Sequence, residues 1–166
     1  MEPLSELVRD LRSEDYFERQ SAAWRLVEAG SEAVGPLTTV LAGDANTQAR
    51  FKAAWALGKI GDERAVDPLV RALREDEDPS VREWAASALE AIGDPRAVPF
   101  LARSLATDPS REVRLRSSLA LGAFGAISAF EDLLREGDLE AKRMAVVGLG
   151  RLRSAGSMEL VASHSG

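Results

Sequence analysis

The side chains able to do chemistry are few, and their spacing does not assemble a reaction centre. There is no cysteine and one histidine, His164. Disulfides, thiolate metal sites and Cys nucleophiles are therefore excluded, and one chain cannot build a two-histidine metal site. His164 stands in Ser163-His-Ser-Gly, a tail composition that gives a Ser–His–Asp triad little support. Gly148-x-Gly150-x-x-Arg153 and Gly122-x-x-Gly125 approach a dinucleotide-binding loop. Neither follows a strand pattern and the third glycine is missing, so they read as helix-packing glycines and a cap. Glu75-Asp-Glu-Asp78 has the charge of a cation site. It lacks the glycine and distal glutamate of a calcium loop, and its last member is better used as a helix cap. No carboxylate pair stands apart for acid–base work. The chain is expected to be a non-enzyme that holds no metal and no cofactor.

What remains is recognition, and composition narrows it. The 166 residues carry 21 Lys+Arg against 27 Asp+Glu, a net charge of −6 that disfavours nucleic acid and anionic membrane surfaces. The 45% hydrophobic and 29% charged content is that of a folded, soluble protein. Met1-Glu-Pro-Leu-Ser-Glu has neither a basic nor an apolar leader segment, and no run of 18 apolar residues follows. The expected location is the cytoplasm, with no membrane and no nucleic acid among the partners.

The elements that must position any binding residues emerge from self-similarity. Ala53-Ala-Trp-Ala-Leu-Gly-Lys-Ile-Gly-Asp62 recurs at 85–94 and 117–126, with looser copies at 22–30 and 145–152. Between these copies, Arg64-Ala-Val-Asp-Pro-Leu69 matches Arg96-Ala-Val-Pro-Phe-Leu101. Each unit thus holds an A helix, beginning near Ala-Val-x-Pro, and a B helix carrying the Ala-rich run. Asp15, Asn46, Asp78, Ser110 and Asp138 all stand four residues before an aligned basic residue, and all are good N-cap types. The cap-to-cap steps of 31, 32, 32 and 28 residues are too regular for chance. Asp15 and Glu18 have capping-box spacing, and Gly30, Gly61, Gly93 and Gly125 fall where left-handed C-caps are wanted. The fifth unit has Arg153 there instead. A single helical pair cannot bury its apolar stripe, whereas stacked pairs can. The expected fold is all-α, a solenoid of about five antiparallel helical hairpins. The units are approximately 1–31, 32–62, 63–94, 95–126 and 127–153, with 154–166 a C-terminal tail or truncated sixth unit.

The stretch Asp78-Pro-Ser-Val-Arg-x3-Ala-Ser-Ala-Leu-x2-Ile-Gly-Asp-Pro-Arg-Ala-Val-Pro99 closely resembles the short HEAT-like repeat named after phycocyanobilin lyase subunits. The resemblance covers roughly residues 15–153. It implies a right-handed superhelix whose B helices line a concave, solvent-facing surface, and a role as an adaptable binding scaffold. It also carries an alternative, a bilin lyase/isomerase-type chromophore-modifying subunit. The His-Glu pairs of the related iron-dependent hydroxylases are absent from this sequence, and its acidity does not suit the basic groove of the related DNA glycosylases.

Repeated positions are best explained by architecture. Leu26, Leu57, Leu89, Leu121 and Leu149 should be core, and the paired small residues 22/23, 53/54, 85/86 and 117/118 should let A and B helices approach closely. Arg19, Arg50, Arg82 and Arg114 have the spacing of an anion-binding ladder, but the expectation adopted is that they pair with carboxylates between units. Function is sought where the repeat varies, five, six, nine and thirteen residues after each B-helix cap, which is one helical stripe. All three tryptophans fall in it. The candidate partner-binding residues are Trp24, Phe51, Trp55, Trp84, Leu115, Arg116, Leu119, Arg143 and Arg151, rich in the types found at binding hot spots. They suit a protein or peptide partner. The chain itself is expected to be a monomer or a weak end-to-end homodimer.

Overall fold

The computed structural model describes residues 3–163, with side chains as far as residue 152. His164 lies outside the described residues. Ten α-helices, and no strand, are found among these residues: α1 (Leu4–Asp10), α2 (Tyr16–Glu28), α3 (Val34–Gly43), α4 (Thr47–Ile60), α5 (Val66–Glu75), α6 (Pro79–Ile92), α7 (Val98–Thr107), α8 (Arg111–Phe124), α9 (Ile127–Glu136) and α10 (Leu139–Ser163). Short 3-10 turns lead into α3, α5 and α7. Odd-numbered A helices pack on the even-numbered B helices that follow them, giving five hairpins of an α-solenoid. The hairpins form two compact units, Met1–Asp94 with α1–α6 and Pro95–Gly166 with α7–α10.

In the first unit the three B helices begin where the cap residues require. Asp15 accepts a hydrogen bond from the Glu18 amide (2.9 Å), Asn46 from Ala49 (3.0 Å) and Asp78 from Ser80 (2.8 Å). In the second unit Ser110 accepts from the Val113 amide and Asp138 from Ala141. The capping box at Asp15 closes differently from the expected direct exchange. The Glu18 carboxylate accepts from the Ser13 hydroxyl (2.6 Å), and the Ser13 oxygen accepts the Asp15 amide (3.1 Å), so a serine is interposed.

Gly61, Gly93 and Gly125 end α4, α6 and α8 in the left-handed conformation, at φ 75°, 76° and 67°. An L side chain is disfavoured there, which makes glycine the natural stop. Arg153 occupies the corresponding place in α10, and the helix does not stop. It continues to Ser163, because nothing at that position favours the left-handed turn that ends α4, α6 and α8.

Leu26, Leu57 and Leu89 in the first unit and Leu121 in the second are completely buried, each contributing about 1.5–3 kcal/mol by removal from water. Leu149 is half-buried. The paired small residues divide their work. Ser117 donates to Ser104 on α7 (3.1 Å), as expected for A–B packing, whereas Ser118 donates to the Met144 carbonyl on the neighbouring B helix, α10 (2.5 Å). B helices touch closely through glycine as well. A Cβ on Gly58 would come within 2.8 Å of the Ala88 backbone, and one on Gly148 within 2.5 Å of Ser118 Oγ and of the Phe130 ring.

The arginine series is largely structural. Arg50 forms a bidentate pair with Asp76 (2.9 and 3.1 Å) and donates to the Asp44 carbonyl (2.8 Å). Arg114 pairs with Asp138 (2.6 Å) and donates to the Leu105 carbonyl (2.9 Å). Arg82 donates to the carbonyls of Asp76 and Glu77. The carboxylates involved carry a second duty. Asp44 and Asp76 each stand two residues before a cap and accept that cap's amide, so one aspartate shapes the turn while receiving an arginine.

Candidate functional site

The B-helix stripe of the first unit becomes an aromatic face. Its helices α2, α4 and α6 lie side by side, and their paired alanines (Ala22, Ala23, Ala53, Ala54, Ala85 and Ala86) are all buried. Trp24 and Trp55, at the same position in successive repeats, therefore meet edge to face with ring centroids 4.9 Å apart. Phe51 meets Trp84 in the same manner at 5.4 Å. These T-shaped arrangements match the aromatic quadrupoles and stabilise each pair by about 0.5–1.5 kcal/mol beyond area burial. Trp24 is 47% exposed, and Phe51, Trp55 and Trp84 are half-buried. The rings hold one another in place while retaining surface for contact.

Between the rings lies a residue that was absent from the candidate set. Lys52, in the same stripe as Phe51, is only 8% exposed. Its ammonium sits 5.4–5.8 Å from the centroids of Tyr16, Phe51 and Trp55 and donates to the Gln20 side-chain oxygen. It forms no ion pair among the described residues. Burial, and then the charge of Arg19, push its pKa below the ordinary lysine value. Lysine reads from sequence as a solvated residue, and only the packing of three rings around it shows otherwise. A hint was available in the flanking Phe51 and Trp55.

Arg19 departs from the rest of its series. It donates to the carbonyls of Ser13 (2.6 Å) and Glu14 (2.8 Å), but its Nε is buried without an acceptor. Asp44, which stands where Asp76 stands relative to Arg50, is held instead by Arg12 at the end of the first hairpin's A-helix region (Nε, 2.7 Å). Burial works against the Asp44 charge, but the bonds from Arg12 and the Asn46 amide, with the charges of Arg12 and Arg50, outweigh it and lower its pKa.

The second unit places the remaining candidates on α8 and α10. Leu115, Arg116 and Leu119 are half-buried, and Arg143 and Arg151 are exposed. Arg151 donates to the Leu119 carbonyl (3.0 Å), tying α10 to α8. Arg143 lies 3.9 Å from Glu140, which also receives Arg111 (2.9 Å). Met144, in the same stripe, is buried. This stripe is aliphatic and basic, and no aromatic ladder like that of the first unit forms on it. Among the described residues no three His, Cys, Asp or Glu side chains are placed to hold a metal, and no helix is long and apolar enough to cross a membrane.

Similarity to known proteins agrees with this construction. No curated protein sequence matches the chain significantly. Among solved structures, the complex of CpcE and CpcF of phycocyanin lyase from Nostoc sp. PCC7120 superposes with a TM-score of 0.72, covering 88% of this chain and 97% of that one at 22% identity. Human deoxyhypusine hydroxylase, in complex with glycerol, matches at 32% identity with a TM-score of 0.62, over 76% of this chain but only 44% of its own. The Escherichia coli protein YibA matches at 22% identity and a TM-score of 0.65, over 88% of this chain and 57% of its own. The profile of HEAT repeats aligns with residues 34–122, running from the start of α3 into α8. That alignment takes in just over half of the sequence, across the caps, glycine stops and paired small residues described above, and the chain belongs to the HEAT-repeat family.

Proposed function

We propose that the chain is a non-enzymatic scaffold whose first-unit B helices dock a protein or peptide segment on the aromatic face of Trp24, Phe51, Trp55 and Trp84. One observation carries this reading. The largest apolar side chains of a protein with only 5% aromatic residues are paired on the helix face away from the Leu26, Leu57 and Leu89 core. A partly exposed apolar face, with Trp24 open and Phe51, Trp55 and Trp84 half-buried, is the kind of surface used in interaction sites, and tryptophan is the residue type that most often dominates them. The fold does not need the rings at these positions, because the leucines and alanines beneath already fill the core. The likeness to a complex of two lyase subunits supports a protein partner by analogy of fold.

Site-specific photo-crosslinking tests the reading. A p-benzoylphenylalanine placed at position 24 should capture a discrete partner band. The same probe at Arg71, exposed on α5, should not. Equal capture from both positions, or capture from position 71 alone, would contradict docking on the aromatic face.

A further inference from the structure

The aromatic face encloses a positive charge that the protein itself does not neutralise. Lys52 is more than nine-tenths buried, forms no ion pair among the described residues and has only the uncharged Gln20 oxygen as acceptor. Arg19, close enough to depress the Lys52 pKa, keeps a buried Nε with no acceptor. The equivalent Nε atoms of Arg50 and Arg114 are filled by Asp76 and by the Leu105 carbonyl. The aspartate that would serve Arg19 is held by Arg12. Burying a cation without a counter-charge is unfavourable, so an anion arriving here gains more than it would at a solvated lysine.

Building on the docking reading above, we propose that Lys52, backed by Arg19, receives a carboxylate side chain of the docked segment, whose flanking apolar residues lie on Trp24 and Trp55. Gln20 marks the place. Its amide oxygen accepts from Lys52 where a carboxylate oxygen would form a shorter, charge-assisted bond, and Gln20 is half-buried at the edge of the strip. A singly charged carboxylate is favoured over a phosphate because residues 1–83 carry 17 acidic against 11 basic groups, and that surrounding field repels a dianion more strongly. Recognition then has two parts: rings that take apolar side chains, and one buried cation that demands an acidic residue between them.

The test uses two probes, acetyl-Phe-Glu-Phe-amide and its Gln counterpart, titrated into the full chain while the three indole N–H resonances are followed by NMR. The Glu peptide should shift the Trp24 and Trp55 signals saturably, with a Kd at least tenfold lower than that of the Gln peptide. Lys52→Met should abolish the difference, and Lys52→Arg should keep it. Equal affinity of the two peptides for the wild-type chain would overturn the inference, and this comparison needs no variant to fold. Such a result would leave apolar docking on the rings intact, which crosslinking from position 24 reads separately. A preference that survives Lys52→Met, the absence of saturation by either peptide, or tighter binding of inorganic phosphate at the same signals would each overturn it too.

Discussion

The Arg50–Asp76 pair offers the sharpest test of how successive hairpins are joined. Both side chains are less than a tenth exposed, and two hydrogen bonds of 2.9 and 3.1 Å run between them. Asp76→Ala removes both charge-assisted bonds and the acceptor for the Asp78 amide (3.0 Å), loosening the turn into α6. It leaves the Arg50 guanidinium buried, with the Asp44 carbonyl still bound and Glu77 at 3.7 Å as a partial substitute. Stranding a buried charge costs about 3–5 kcal/mol, and the nearby Glu77 places this case near ~3 kcal/mol. For a chain of this length that corresponds to a fall in Tm of about 6–12 °C. Asp76→Asn keeps an acceptor for the Asp78 amide and should lose roughly half as much. Thermal unfolding followed by circular dichroism at 222 nm measures both. A shift below ~2 °C for Asp76→Ala would refute the claim that the arginine series is a structural ladder.

Other expectations can be checked on the same instrument. Asp62 is held at about 2 by the Arg64 side chain and amide, and Asp44 and Asp138 are also lowered, so their contribution is complete above the unfolded value near 4 and lost as pH falls through the folded values. Tm should therefore be flat from pH 7 to about 5 and fall steadily from about 4 to 2, and Asp62→Asn should reduce that acid sensitivity. Lys52 has the opposite sign: its folded pKa lies below the unfolded one, so stability should rise with pH between the two. Lys52→Met should remove that alkaline rise and leave Tm at pH 7 unchanged or a few degrees higher; a fall of more than ~5 °C would show that the three ring contacts outweigh desolvation. Gly148→Val should unfold the second unit, because its side chain would collide with Ser118 and Phe130. Gly150→Ala, where a Cβ meets nothing within 4 Å, should be tolerated, and equal Tm values for the two would contradict the close α8–α10 contact.

Much of this molecule is legible because its repeats restate the same physics. Asp15, Asn46, Asp78, Ser110 and Asp138 announce helix starts through the side-chain acceptor that each supplies, and Gly61, Gly93 and Gly125 announce ends through a conformation other residues avoid. These are local requirements, so residue type and spacing suffice to find them. The meeting of Trp24 with Trp55 follows from their shared position nine residues after successive caps, whereas Phe51 and Trp84 stand at different positions in their repeats and meet through packing. Features that depend on which neighbour wins a contact were not legible. Asp44 and Asp76 recur two residues before the caps, yet only the structure shows that they serve as arginine acceptors, and that Arg12 displaces Arg19 at Asp44. Lys52 and Met144 share the variable stripe with exposed residues, but tertiary packing buries both. The run of α10 past Arg153 follows from a missing stop, a signal weaker than the presence of one.

On the docking reading, the paired rings of the first unit are a binding surface laid over a self-sufficient core. Measuring Tm and partner Kd together on Trp24→Ser, with the partner taken from crosslinking at position 24, tests it most directly. Trp24 is the most exposed of the three tryptophans, and loss of one such anchor should weaken binding by about 2 kcal/mol, roughly thirtyfold in Kd. Tm should change by less than ~6 °C, the cost of one aromatic pair. A fall in Tm of more than ~8 °C with Kd unchanged would make the tryptophan a packing residue and rule out docking on the rings.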